Sequence, residues 1–544
     1  MKLKTHKYIG VAIIATSLST MSCKKESFVE ANLNPATLYE VTPENQFLAA
    51  SIQINNDYEY YYDVYRRLNY WLQYSTPASG NGFNFNAPGG NFNYRYNNFY
   101  NNVGPKLMDA IQIINSLPQE ERNGYIHLEN IARILLAYYA CYTSDSNGSI
   151  PYSEAFLARY GGTLTPIYDT QETIFSLAND QISAAVDILK NTTTDGQVNL
   201  GSNDPFFNGN VNQWIKAGNA LRLRIASRFI KADQAKAQAI ISDVLANSDQ
   251  MAHVDDSWEM RAGPTYADAN TNWNPANFIA GKPILDYMKE KADPRLRIYY
   301  RPNSNGEYVG GFPSPDDPIK PENAPLYSGG IANFSQLQHR LFTPNYDEGN
   351  GAGNGSAFFP IITYAEYCFL RADFAARGLT SDNAEEWYKK GVYASIDYYD
   401  RRAQASSPIG GLGVGTGIEG YVSVTMTEKD NYYNATGVKF DPSNALEQIA
   451  VQAYFDFYRN PFEAWNWWKR TGYPSTSSTI FEWSDLVAQG ARLPLPRRAS
   501  QSFLPTSNLN YQNQRAALEQ MMQDPEYGSG PGDPFGRVWW DRSN

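Results

Sequence analysis

Histidine is scarce in this chain: 544 residues include four. Three of them, His127, His253 and His339, stand far apart and at no metal-ligand spacing. No His-Glu-x-x-His, paired Cys-x-x-Cys or nucleophile elbow occurs, so the usual signatures of zinc sites and serine hydrolases are missing. Asp145-Ser146-Asn147-Gly148 lacks the later bidentate Glu of a calcium loop. Gly415, Gly417 and Gly420 have dinucleotide-motif spacing without the flanking strand and helix. We therefore expect no metal and no cofactor. Charge is also sparse, at 19% of residues and a net −11, where about a quarter is usual. The dense basic cluster outside the leader is Arg492 with Arg497-Arg498, too little for the counterion release that drives nucleic-acid binding. Beyond the first residues no apolar run approaches the ~20 needed to cross a bilayer.

The N-terminus supplies a positive signal. Lys2, Lys4 and Lys7 precede an apolar stretch over residues 8–15 with Leu18, too short to be an ordinary spanning helix. Ser22 and Cys23 follow, then Lys24-Lys25-Glu26. This is a secretion signal, and the cysteine resembles that of a lipobox, with Thr20 where Leu is usual. The expectation is a signal peptide over residues 1–22, lipidation of Cys23, a tether to residue 42 and a mature chain on one side of the membrane. The alternative is an ordinary signal peptide with an incidental cysteine. Cys141 and Cys368 lie within apolar helical patterns and read as small core residues, although a disulfide between them is possible.

Helical periodicity recurs along the rest. Ile131, Ile134, Leu135, Tyr138, Tyr139 and Tyr142 share one face. A second stripe from Ile174 to Leu189 is preceded by Asp169 and Glu172, spaced as an aspartate capping box. Trp214, Ala217, Leu221, Ile225 and Phe229 continue the series, with residues 234–246 as a partner helix. Ala365, Cys368, Ala372, Ala375 and Ala376 form a small-residue stripe that stops at Gly378, and Asp382 with Glu385 starts the next helix. Small residues let two helices approach closely, and residues 363–398 have the length of one tetratricopeptide-like repeat. A further helix is expected over residues 445–458.

The expected fold is all-α dominated: a single large domain over residues 43–544, built of tetratricopeptide-like helix pairs with long irregular loops and minor β-hairpins. Stretches rich in Gly, Pro and Asn at 75–93, 263–277, 300–355 and 406–434 read as the working surface. Residues 422–427 alternate like a short strand.

Five blocks, in order, resemble the SusD/RagB-like family of outer-membrane nutrient-binding lipoproteins. They are Asn34-Pro35 with Val41-Thr42-Pro43; Gly148-Ser149-Ile150-Pro151-Tyr152-Ser153-Glu154-Ala155; and Asn212-Gln213-Trp214-Ile215-Lys216 with Leu221-Arg222-Leu223-Arg224. The segment 366–376 follows, with Asp373 in place of the usual Glu. Phe462-Glu463-Ala464-Trp465, Arg470-Thr471-Gly472-Tyr473-Pro474 and Leu495-Pro496-Arg497-Arg498 complete the set. The resemblance implies a lipid-anchored protein of the outer-membrane surface that caps a SusC-like TonB-dependent transporter. It implies binding of an oligosaccharide, or in some members a peptide, and no catalysis.

A neutral glycan offers C–H faces and hydroxyls, so its receptor needs flat rings beside uncharged hydrogen-bonding groups. Aromatic residues make up 14% of the chain, with 40 tyrosines and 11 tryptophans. Tyr58, Tyr61, Tyr62, Tyr65, Leu68, Trp71 and Leu72 keep helical spacing and read as packing for the first helix. Beyond Tyr74 and Pro77, aromatic residues alternate with amides, as in a hairpin turning at Pro88-Gly89-Gly90 whose rings either bind or pack. The ligand-binding candidates are Tyr74, Asn81, Phe83, Phe85, Tyr94 and Tyr96, with Asn272, Trp273 and Tyr327 from the middle loops; the resemblance favours the region after the first helix. Two rivals remain: a glycoside hydrolase using Asp255, Asp256 and Glu259 beside Trp258, and a purely structural surface protein.

Overall fold

Helices form where the apolar stripes run, and side-chain caps set most of their starts. The computed structural model describes residues 41–78, 92–262, 275, 278–342, 346–347, 352–353, 357–405 and 421–543, of which Pro43–Asn544 make one unit. α1 is Pro43–Ser51; α2 runs through Asp57–Glu59, a wide π-type segment Tyr60–Leu68, and Asn69–Trp71. α3 likewise joins Tyr94–Asn98, a π segment Phe99–Val103 and Gly104–Ser116. α4 (Ile126–Asn147), α5 (Gln171–Asn191), α6 (Val211–Phe229) and α7 (Gln234–Leu245) follow, each packed on its predecessor. α8 is Lys282–Glu290; α9 (Tyr364–Ala376) and α10 (Ala384–Ala405) form the most extensively packed helix pair among the described residues. α11 (Met426–Tyr433) lies on α10; α12 (Ala445–Asp456) packs on α9 and α10, α13 (Pro461–Thr471) packs on α12, and α14 is Tyr511–Met521. The tetratricopeptide-like pairing expected from the small-residue stripes is therefore present.

Close approach is what those small residues permit. A Cβ added at Gly391 would lie 2.5 Å from the Phe369 ring, and one at Gly218 would lie 2.6 Å from Val186, both inside van der Waals contact. Two local readings are corrected. Thr170, not Asp169, caps α5 by accepting from Thr173 N at 3.2 Å. Asp169 instead accepts from Tyr152 N at 3.0 Å and Ser153 N at 2.7 Å, which fixes the Ile-Pro-Tyr-Ser turn. Residues 422–425 are not a strand, because Thr425 and Glu428 form a capping box that commits the following residues to α11. Cys141 and Cys368 are buried free thiols.

Strands are short. β1 (Ser75–Pro77), β3 (Phe278–Ala280), β4 (Tyr300–Arg301) and β5 (Gln336–Leu337) form a sheet of order β1-β3-β5-β4. β2 (Trp258–Ala262) pairs antiparallel with β8 (Ala357–Ile362). β6 (Tyr346–Asp347) pairs with β7 (Ala352–Gly353), and β9 (Val487–Ala488) with β10 (Ala491–Arg492). Among the described residues no helix is long and apolar enough to cross a membrane, and no group of three His, Cys, Asp or Glu is placed to hold a metal ion.

The sequence blocks that carry the family resemblance meet in the interior. Arg224 of α6 grips Glu366 of α9 with Nε at 2.7 Å and Nη2 at 2.6 Å. One turn on, Arg228 holds Asp145 of α4 with two contacts of 3.1 Å and Glu463 of α13 at 2.7 Å. Asn466 adds a bond to Asp145 at 2.9 Å. Four helices are thus joined by buried, charge-assisted hydrogen bonds. Burial also pushes the Lys469 ammonium from 10.5 down to about 7, although Asp145 and Asp541 oppose the shift. Between these values the unfolded chain holds more protons than the folded one, so this group's contribution to stability rises with pH over that window. Denaturation curves at pH 7 and pH 9 should show wild type gaining stability relative to Lys469→Met; a constant difference would contradict the assignment.

Candidate ligand-binding surface

The wide turns of α2 and the start of α3 sort their residues onto two sides. Glu59, Asp63 and Arg95 point inward and are buried, while Tyr58, Tyr61, Tyr62 and Tyr94 remain wholly or partly exposed. The inner side is a fixed foundation. Glu59 is fully buried and accepts from Arg95 Nε at 3.1 Å, Tyr139 at 2.8 Å and Tyr142 at 3.0 Å. The Arg95 guanidinium lies between the Tyr142 ring, 3.3 Å away, and the Phe462 ring, 3.2 Å away. Asp63 accepts from Arg95 N at 3.3 Å. Burial, reinforced by the charge of Glu59, pushes the Asp63 carboxyl well above the usual carboxylate range.

The outer side is an aromatic patch. Tyr62 and Tyr94 stack with centroids 4.8 Å apart and planes 9° from parallel. Tyr58 lies 6.3 Å from Tyr62 and 6.4 Å from Tyr94, tilted by 8° and 11°. Tyr61 sets its edge against Tyr62 at 5.0 Å, and Arg66 sits 5.6 Å from the Tyr61 ring. Tyr58 is the most open of them, at 50% exposure. Three near-parallel rings with hydroxyls at their rims give a stepped surface that can lie against sugar C–H faces and hydrogen-bond their hydroxyls.

Of the residues expected from sequence, Tyr94 joins this patch. It does so from a helix, because residues 94–98 form the first turns of α3 and not a strand of the expected hairpin. Tyr96 is turned away and packs on Tyr100 at 4.6 Å. Tyr327 lies elsewhere, its ring on Phe334 at 4.9 Å and its hydroxyl accepting from Phe312 N at 2.9 Å. Tyr74 is corrected outright. It is fully buried, stacked on Tyr454 at 4.4 Å and hydrogen-bonded to the Tyr454 carbonyl, because the sheet strand that follows carries it into the core. Tyr74→Phe should cost about 1 kcal/mol of stability and leave ligand affinity unchanged in a binding titration. Asn81, Phe83, Phe85, Asn272, Trp273 and Cys23 lie outside the described residues.

Tyr58, Tyr61 and Tyr62 reverse the reading of that segment as packing. Tyr65, Leu68, Trp71 and Leu72 are indeed buried, but the first turn of the stripe faces out. One signal in the sequence marks this: Arg66 stands four residues after Tyr62, on the same face, where a buried stripe would carry an apolar residue.

Other aromatic and acidic groups are already engaged. A cleft of about 400 Å³ holds Trp468, Trp483, Ser475 and Thr476, yet Trp483 is 4% exposed and Arg497 lies 4.6 Å from the Trp468 ring. The carboxylates weighed for hydrolysis are paired: Asp256 with Lys216 at 2.8 Å, Asp255 with Arg401 at 2.5 Å, and Glu259 with Arg402 at 2.8 Å. Trp258 is fully buried. No open acid pair is formed by these residues.

Comparison with known proteins agrees with this architecture. Residues 35–496 match the family model described as SusD-like, starch-binding and associating with the outer membrane. A chitin-binding protein of known structure is 21% identical with a TM-score of 0.70, covering 92% of this chain and 100% of its own. A SusD homologue from Bacteroides fragilis is 19% identical with a TM-score of 0.67, at 92% and 100% coverage. A chitin-binding SusD homologue from Flavobacterium johnsoniae is 20% identical with a TM-score of 0.66, at 92% and 99% coverage. At these identities the structures speak for the fold. No match was found among curated proteins. The family match spans most of the length, and the chain belongs to the SusD-like family.

Proposed function

We propose that this protein is a non-catalytic surface receptor that binds a neutral oligosaccharide on the Tyr58–Tyr62–Tyr94 patch and delivers it to a SusC-like TonB-dependent transporter. The observation that carries this reading is the patch itself: three near-parallel rings, partly open to solvent and mounted on a buried ionic foundation. Packing alone does not require a half-exposed tyrosine to lie parallel to two others. Low overall charge supports a neutral ligand, since amides and phenols match hydroxyls without desolvating an ion. Two similar structures are named as chitin-binding, and chitin is a neutral glycan.

In this reading residues 1–22 direct export, Cys23 carries the lipid, residues 23–42 form the tether and residues 43–544 form the binding domain on the outer surface of the outer membrane. One acyl chain gives marginal membrane binding and two or more give stable anchoring, so a multiply acylated Cys23 suffices without a spanning helix. Incubation with a panel of neutral oligosaccharides tests receptor against hydrolase. The receptor depletes one class of glycan and returns it at its original length; shorter products would contradict the proposal.

A further inference from the structure

A second surface has the opposite character. Where the ends of α6, α9 and α13 meet the start of α12, an open pocket of about 520 Å³ is lined by Lys231, Arg377, Arg470, Thr471, Ser443 and Asn444. Arg470 is 2% exposed. Its Nη1 donates to Asp373 at 2.7 Å, while Nε and Nη2 have no hydrogen-bond partner. Arg377 uses the same Asp373 at 3.1 Å, so one carboxylate answers two guanidiniums. Lys231 Nζ donates to the Arg542 carbonyl at 3.1 Å and forms no ion pair among the described residues.

The nearby acids do not restore the balance. Glu447 also lines the pocket, but its Oε1 accepts from Ser478 Oγ and from the backbone N–H groups of Thr479 at 3.0 Å and Ile480 at 3.2 Å. Asp541, whose charge acts on Lys231, is held by Arg497 at 2.6 Å and Arg537 at 3.0 Å. The 3-10 turn Pro442–Asn444 that leads into α12 is capped by Asp441, whose carboxylate is itself engaged, accepting from Ser443 N at 2.9 Å and Asn444 Nδ2 at 2.9 Å. Burial first, then the positive charges of Arg470, Arg537 and Arg377, bring the Lys231 ammonium down to about 8 despite Asp541. The Arg470 guanidinium also lies 4.5 Å from the Trp467 ring, which offsets part of the cost of burial, and an anion supplies the hydrogen bonds that the ring does not.

We propose that this pocket binds a tetrahedral oxyanion of the phosphate or sulfate class, held by Lys231, Arg377 and Arg470 through charge-assisted hydrogen bonds. The oxyanion comes either free or on a small molecule, or from the phosphate of a membrane headgroup. The site shares no residue with the tyrosine patch and is independent of the glycan reading.

Calorimetric titration with inorganic phosphate and with sulfate, against chloride at equal ionic strength, tests the site; flotation with vesicles of phosphatidylglycerol or of phosphatidylcholine separates the two sources. Expected is binding of phosphate or sulfate that weakens at least tenfold in Lys231→Met and in Arg377→Gln and is retained in Lys231→Arg. NMR should show the Lys231 ammonium titrating at higher pH when the anion is bound. Flotation with the phosphatidylglycerol vesicles alone, lost in Lys231→Met, assigns the headgroup as the source. The proposal is overturned if neither anion binds better than chloride and neither vesicle is preferred, or if both neutralising variants bind as wild type does while keeping its circular dichroism.

Discussion

Tyr62→Ala should weaken oligosaccharide binding about 30-fold, and the triple replacement of Tyr58, Tyr62 and Tyr94 by alanine should abolish it. Central aromatic anchors of a binding surface typically contribute about 2 kcal/mol or more, and each 1.4 kcal/mol is a factor of ten in affinity. Tyr62 is the central ring, since it touches both Tyr94 and Tyr61 at about 5 Å. Tyr62→Phe keeps the stack and should lose less, separating the ring face from the hydroxyl. The fold should survive, because Tyr58 is half exposed and the foundation of Glu59, Asp63 and Arg95 does not rest on these rings. Isothermal titration reads the affinity; urea midpoints close to wild type show that the loss belongs to the surface and not to the scaffold.

Arg228→Met, at the centre of the buried network, should destabilise the protein by about 3–5 kcal/mol, the usual result of removing one partner from a buried ionic group. The mechanism is the stranding of Asp145 and Glu463, two carboxylates that are nearly inaccessible. Glu463 lies below its ordinary range because the attraction of Arg228 and Arg224 outweighs burial, and it would lose the nearer of those cations. Adding Asp145→Asn and Glu463→Gln to Arg228→Met should return part of the loss, since the uncompensated charges go with it. Denaturant unfolding followed by far-ultraviolet circular dichroism measures both steps. A triple variant no better than Arg228→Met would show that shape, not charge, dominates at this junction.

These two sites also explain what could be read in the sequence and what could not. The helices were legible because burial imposes a period: Ile131 to Tyr142 and Ala365 to Ala376 state their inner faces directly. The family blocks were legible for a related reason. Arg224 pairs with Glu366 and Glu463, and Asp373 pairs with Arg470, all of them buried, so each needs its partner, and together they give the chain a recognisable set of motifs. They build the scaffold.

The ligand surface lacks that constraint. Tyr58 and Tyr62 have the spacing of a core stripe, and periodicity alone does not say which side of a tyrosine-rich helix is wet. Glu59 and Asp63, the acids that would ordinarily mark solvent, are the buried ones here because Arg95 arrives from 36 residues away to pair with Glu59. A contact at that sequence separation leaves no local trace. Tyr74 fails for the converse reason: it stands beside a Gly- and Asn-rich stretch, but pairing of β1 with β3 and the Tyr454 ring draws it inside.

The most direct test of the glycan-receptor reading is a crystal structure of the protein with the best oligosaccharide from the panel. The prediction is an intact glycan whose sugar ring lies within about 4 Å of the Tyr58, Tyr62 or Tyr94 rings, with its hydroxyls hydrogen-bonded at the edge of the patch. A glycan seated instead in the Trp468 and Trp483 cleft, or cleaved beside Asp255 and Glu259, would contradict it.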